Sequence, residues 1–141
     1  MAAYLADSSV LLDVFTADPV WAEWSVAELE RASADGTVFI DPVVYSEISI
    51  RFSRIEDLEA AIRDSGLVWS EIPREALFLA GKAYVSYRKS GGSRTAPLPD
   101  FLIGAHAAVS NLVLITRDPE RVRRHFPRVR LSYPDRGRTA S

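Results

Sequence analysis

Short apolar runs that stop abruptly, set between longer stretches of helical periodicity, constrain the fold of this 141-residue chain more than any other property. Residues 3–6, 37–40, 67–72 and 112–116 are too short for stable helices but carry the β-branched, aromatic and aliphatic side chains of strands. After the first run, Ser8 and Ser9 offer cap hydroxyls, and Val10, Leu11, Val14 and Phe15 recur at helical spacing. A second amphipathic helix is predicted from about Pro19 to Ala34, ending at Asp35-Gly36, and Asp41-Pro42 caps and opens a third. Further helices are predicted over 55–65, closed by Gly66, and over 74–89, broken by the sequence SGGS at 90–93. Leu98-Pro99 starts another, with Phe101, Leu102, Ala105, Ala108 and Val109 as its buried stripe. A short basic helix over 120–126 and an edge strand over 129–131 complete the pattern. Strands alternating with helices imply an α/β fold whose parallel sheet is covered on both faces. In such sheets the functional crevice lies at the carboxyl ends of the strands.

The length fits one domain, expected over residues 1–134, with 135–141 as a flexible C-terminal tail. Zero cysteines remove disulfides, thiolate metal sites and thiol catalysis, and fit a reducing cytosol. The first residues lack the basic start of a secretory signal, and no apolar stretch approaches the roughly 20 residues needed to span a membrane. The expected product is soluble, cytoplasmic and not membrane-bound. The formal charge of −2 conceals a division: residues 1–75 sum to −10 and residues 76–141 to +8. An Arg-rich half beside an acidic half suits a phosphate-bearing substrate, because guanidinium forks bind phosphate bidentately.

Four acids stand where an apolar run meets a turn or a helix: Asp7, Glu47, Asp100 and Asp118. A carboxylate beside buried apolar surface is costly to desolvate, and four that converge repel one another unless a cation lies between them. A hard divalent ion such as Mg2+ or Mn2+ answers that need with oxygen ligands. Each acid also has an ordinary explanation. Asp7 and Asp118 could serve as turn or cap residues, Asp100 could complement a helix dipole, and Glu47 could pair with Arg51 one turn on. Asp7 and Asp118 each fall just beyond an apolar strand, and the joint recurrence of the set where a parallel sheet gathers its ligands is the stronger signal.

The blocks LADSSVLLD, YSEI, LPDFLIGAHA and LITRD, in this order, resemble the PIN-domain nucleases, and in particular VapC-type toxins of toxin/antitoxin pairs. LPDFLIGAHA is the most specific of them. The resemblance implies a PIN-like three-layer α/β/α fold with a central, mostly parallel sheet. It further implies a Mg2+- or Mn2+-dependent endoribonuclease in which Asp7, Glu47, Asp100 and Asp118 form the catalytic and metal-binding set. Phosphodiester hydrolysis by metal-activated water, leaving a 5′-phosphate and a 3′-hydroxyl, follows from it. Ser9 matches a small polar position of the family, and Thr116 matches the hydroxyl of the TRD block, which would orient the acids from behind. At position 121, where family sequences often carry another acid, this chain has Arg; Asp118 is thus the weakest member, with Glu120 its substitute. The implied partners are an RNA substrate, a cognate VapB-like antitoxin and a second copy of the chain in a homodimer.

Around this set, Arg88, Lys89 and Arg94 beside Gly91-Gly92 are candidates for gripping RNA backbone, and Arg121, Arg123 and Arg124 could extend that track. His106 reads as a hydrogen-bonded packing residue on the helix of Asp100, while His125 carries no signal. Trp21, Trp24 and Phe15 read as core, although an exposed tryptophan would mark a binding groove. Two rival functions remain: a PIN-like scaffold that binds RNA without cutting it, and an aspartyl-phosphate phosphohydrolase. The second wants an acid two residues after Asp7, where Ser9 stands.

Overall fold

The computed structural model describes residues 2–92 and 98–135. Five strands, β1 (Ala3–Ala6), β2 (Thr37–Ile40), β3 (Val68–Trp69), β4 (Val113–Ile115) and β5 (Leu131–Ser132), form one sheet in the order β3-β2-β1-β4-β5. Every pairing is parallel, so the expected mostly parallel sheet is parallel throughout. The central strand β1 is flanked on both sides and is apolar almost without interruption, as a strand covered on both faces must be. Leu5 and Ala6 are wholly buried, with Leu114 and Ile115 of β4 beside them.

Among the described residues, seven helices surround the sheet: α1 (Ser8–Phe15), α2 (Ala22–Asp35), α3 (Pro42–Ser49), α4 (Ile55–Asp64), α5 (Arg74–Lys89), α6 (Leu98–Val109) and α7 (Pro119–His125). Most boundaries fall within a residue or two of the periodicity that predicts them. Two differ for physical reasons. The α2 helix starts at Ala22 rather than near Pro19, because the Asp18 carboxylate accepts the backbone N–H groups of Val20 and Trp21 and holds a turn there. The third apolar run pairs only over Val68–Trp69, since it lies at the sheet edge and both residues are exposed.

Asp41 caps α3 as its sequence position implies, its carboxylate accepting the Val44 N–H at 2.8 Å. The other oxygen meets His106 Nδ1 at 2.9 Å, with both side chains wholly buried, so His106 is a hydrogen-bonded core residue that ties α6 to the end of β2. Trp24 packs on the core, Phe15 meets Phe52 edge-on, and Arg117 lies over the Trp21 ring. The exposed tryptophan is instead Trp69. Among the described residues, no helix is long and apolar enough to cross a membrane.

This order positions the site. From β1 the chain winds outward through β2 and β3, then returns to add β4 and β5 on the other side, so the connections diverge between β1 and β4. At such a switch point the loops part and leave a crevice beyond the strand ends. Asp7 follows β1 there, and Thr116 and Asp118 follow β4.

Candidate active site

Asp7 occupies the backbone N-cap position of α1, yet its side chain makes no cap hydrogen bond. Its Oδ2 accepts the Thr116 hydroxyl at 2.8 Å and the Ser9 hydroxyl at 2.9 Å. The hydroxyls of Ser8 and Ser9, expected to cap the helix, are turned to acids instead: Ser8 Oγ donates to Glu47 Oε1 at 2.9 Å. Glu47 thus takes its partner from α1, 39 residues away, and not from Arg51 on the next turn of its own segment. Thr116 holds both sides of the crevice, because its Oγ1 also accepts the Asp118 backbone N–H at 3.1 Å. Ser9 and Thr116 thus both contact Asp7, and Ser8 contacts Glu47. The signal of Ser8, a hydroxyl between Asp7 and Ser9, read equally well as a cap.

Asp100 sits in the first turn of α6, where the helix dipole favours negative charge. Its Oδ2 is buried and receives no hydrogen bond. Burial raises the Asp100 carboxyl above its ordinary value, opposed by the Arg121 charge and reinforced by Asp7 and Asp118. Glu47 is raised for the same first reason, burial, with the Ser8 hydrogen bond and Arg121 opposing and Asp7 and Asp100 adding to it. The mutual influence of these acids is what convergence predicts. Asp118 lies at the rim, half exposed; it precedes α7 without a side-chain cap hydrogen bond to that helix. Glu120, the alternative to Asp118, is 76% exposed and paired with Arg123 at 2.9 Å.

Among the described residues, the cation that faces these acids is Arg121. Its Nη1 is 3.3 Å from Asp100 Oδ2, Nη2 is 3.7 Å from Asp7 Oδ2, and Nε is 3.8 Å from Asp118 Oδ2. The pocket beside Arg121 is lined by Asp7, Asp100, Arg121, His125 and the apolar side chains of Ile103, Leu114, Val122 and Phe126, and not by Glu47 or Asp118. It leaves a cavity of about 10 Å3, close to the minimum for one water. Accordingly, among the described residues no three acidic, histidine or cysteine side chains are disposed to hold an ion as they stand. The donor chemistry nevertheless fits a hard cation: every donor is a carboxylate oxygen, and Asp100 Oδ2 is a buried acceptor without a donor.

Gly104 explains how α7 reaches the acids. A β-carbon there would lie 2.5 Å from the Phe126 ring, so only glycine lets that ring pack on α6 and draw the end of α7 against it. The neighbouring His125 ring packs against Phe101 and Tyr87, with centroids 4.5 and 5.0 Å away. His125 also lines a second cleft of about 400 Å3 with Arg124, Tyr87, Ser86, Ser90 and Gly91-Gly92. Of the residues expected to grip RNA, Arg88 and Lys89 end α5 beside this cleft without lining it, and Arg94 lies outside the described residues. Arg124 and His125 are the cleft's own cationic and aromatic side chains.

A buried acid that sequence reasoning passed over is Asp13. Its Oδ2 meets Arg117 Nε at 2.8 Å and accepts the Ser25 hydroxyl at 3.0 Å. Burial raises this carboxyl, with Ser25 and Arg117 opposing. The site of Asp13 is structural, a clamp between α1, α2 and the end of β4.

A family model described as "PIN domain" matches residues 4–129. VapBC2 of Rickettsia felis, bound to a DNA fragment from its promoter, has a chain that superposes with a TM-score of 0.73 at 19% identity. That match covers 94% of this chain and 99% of the other. VapBC-1 of nontypeable Haemophilus influenzae gives 0.69 at 16% identity, covering 93% and 97%. FitAcB of Neisseria gonorrhoeae gives 0.64 at 14% identity, covering 93% and 96%. No curated protein sequence matches.

Proposed function

The chain belongs to the PIN-domain family, and on that premise we propose that it is a VapC-like toxin, a metal-dependent endoribonuclease neutralised by a cognate antitoxin. The observation that carries this reading is the meeting of Asp7, Glu47, Asp100 and Asp118 at the β1/β4 switch point, around a buried carboxylate oxygen that lacks a hydrogen-bond donor. Idle acids in such a place add only repulsion and desolvation cost. The likeness to chains from toxin–antitoxin complexes supports the toxin assignment.

We assign Asp7, Glu47 and Asp100 to hold Mg2+ or Mn2+, directly or through water. Bound there, the ion would supply positive charge for a phosphate oxygen and lower the pKa of an attacking water. The chain's own contribution is orientation. Hydroxyls of Ser9 and Thr116 fix Asp7, the Ser8 hydroxyl fixes Glu47, and the α6 dipole supports Asp100. Asp118, at the wet rim and tied through its backbone to Thr116, is assigned to orient water or to complete the ligand set. RNA would run from the acids along the cleft of Arg124, His125 and Tyr87, where a guanidinium and ring edges offer phosphate and base contacts. The functional domain is proposed as residues 1–134, in the cytoplasm. Exposed Leu77, Phe78 and Val85 on α5, together with Trp69, supply apolar surface for a homodimer or an antitoxin to cover.

One observation favours a second reading: Arg121 neutralises the acids where an ion belongs, as an RNA-binding scaffold that does not cut would permit. Purified protein incubated with structured RNAs in Mg2+, Mn2+ or EDTA, with end mapping of products, separates the two. Cleavage to 5′-phosphate and 3′-hydroxyl ends, abolished by EDTA and by Asp7→Asn, is expected. Cleavage that survives both treatments refutes the assignment, and RNA bound but uncut in either metal selects the scaffold.

A further inference from the structure

We propose that Arg121 is a positioning residue that competes with the divalent ion. Its guanidinium holds the acid cluster together in the metal-free protein and must leave before an ion can enter. The inference rests on the metal-dependent reading above.

The geometry is that of a loose occupant. Arg121 reaches three carboxylates on three different segments, Asp7 after β1, Asp100 on α6 and Asp118 before α7. At 3.3 to 3.8 Å it makes none of the forked, short hydrogen bonds that secure an arginine to a carboxylate. A buried oxygen it faces, Asp100 Oδ2, remains without a hydrogen bond among the described residues. A guanidinium so placed offsets repulsion by charge while leaving the lone pairs of Asp100 Oδ2 uncommitted. Its side chain is 41% exposed, so a path outward to solvent is open to it.

Space and charge both set the two cations against each other. In the pocket that Arg121 shares with Asp7 and Asp100 about 10 Å3 is left, too little at that spot for an ion that keeps several of its waters. Charge points the same way, since a divalent ion beside a fixed guanidinium would be repelled at short range. The apparent affinity for metal is therefore lowered by the factor by which the Arg121-filled state is favoured over the open one. In this way the chain sets, through one side chain of α7, the metal concentration at which its acids become a centre.

The test is calorimetric titration of Mn2+ into the purified, chelator-treated protein, wild type against Arg121→Gln and Arg121→Lys, with thermal melts of each in EDTA. Arg121→Gln is expected to bind Mn2+ more tightly, on the order of tenfold, while melting at a lower temperature without metal. Arg121→Lys, which restores the charge, is expected to return the affinity toward wild type. A purely structural Arg121 would lower the melting temperature without raising the affinity. Equal or weaker binding by Arg121→Gln overturns the competition while leaving the metal site standing. If neither wild type nor Arg121→Gln binds Mn2+, the metal reading itself fails, and the competition with it.

Discussion

Two arginines four residues apart meet aspartates in opposite ways. Arg117, at the end of β4, sets Nε 2.8 Å from Asp13, whose side chain is 3% exposed and also bonded to Ser25. Arg121, on α7, spreads its charge over Asp7, Asp100 and Asp118 at 3.3 to 3.8 Å and bonds closely to none. The first pair is short and enclosed: the guanidinium lies over Trp21, and the carboxylate is held between α1 and α2. The second leaves carboxylate oxygens available. A short, enclosed ion pair makes a joint in the fold, whereas a long, shared and partly wet one makes a place where one cation can replace another.

The largest effect that tests this contrast is on stability. Arg117→Ala strands a buried carboxylate and is expected to cost on the order of 3 kcal/mol in urea unfolding, against less than about 1 kcal/mol for Arg121→Gln. Equal losses would erase the distinction between joint and exchangeable site. Gly104→Ala forces the Phe126 ring away from α6 and is expected to cost about 1–3 kcal/mol. It should also weaken Mn2+ binding by moving α7 relative to Asp100, which calorimetry can read beside the melt.

Asp100→Asn should act in the reverse direction, stabilising the metal-free protein by about 1 kcal/mol at neutral pH, because it removes a buried charge with an unbonded oxygen. The sign with pH is fixed. Burial holds this carboxyl above its ordinary value of 3.8, so the fold binds the proton more tightly than the unfolded chain. The cost of ionisation is absent below 3.8 and complete above the raised value. The advantage of Asp100→Asn must then grow as pH rises through that interval, and a constant difference across it would exclude burial as the cause. Asp7→Asn should gain nothing comparable, since Ser9 and Thr116 already satisfy Asp7 Oδ2.

The smallest effect belongs to His125. Burial, then the Arg124 charge, keeps its imidazole below the ordinary value of 6.5, so the unfolded chain takes up a proton first as pH falls. Its contribution is intact above 6.5 and lost as pH drops through the lowered value. His125→Gln should make the decline of Tm between about pH 7 and pH 5 shallower.

Much of the fold is legible because it is local. Period-2 and period-3.6 patterns, the Asp41-Pro42 opening of α3 and the Gly66 stop after α4 each depend on residues within a turn or two. The same holds for the acids, since Asp7, Asp100 and Asp118 stand beside recognisable element ends. Partners were less legible. Glu47 has Arg51 at helical spacing but bonds to Ser8, and the hydroxyls that look like caps serve carboxylates, that of Ser8 on another helix and that of Ser9 on Asp7 two residues before it. Nothing in the sequence around Asp13 singles it out, and only the packing of α2 and Arg117 encloses it.

The sequence by itself determined the order of strands and helices and brought acids to the strand ends, because burial periodicity and backbone chemistry are short-range. Tertiary structure alone decided the sheet order that opens a crevice between β1 and β4, and which cation faces which acid. Thr116 reaches Asp7 across 109 positions, and Arg121 stands among acids from three separate segments. Such pairings depend on how the helices close over the sheet, with Gly104 setting the approach of Phe126 beside α7, and no spacing along the chain records that distance.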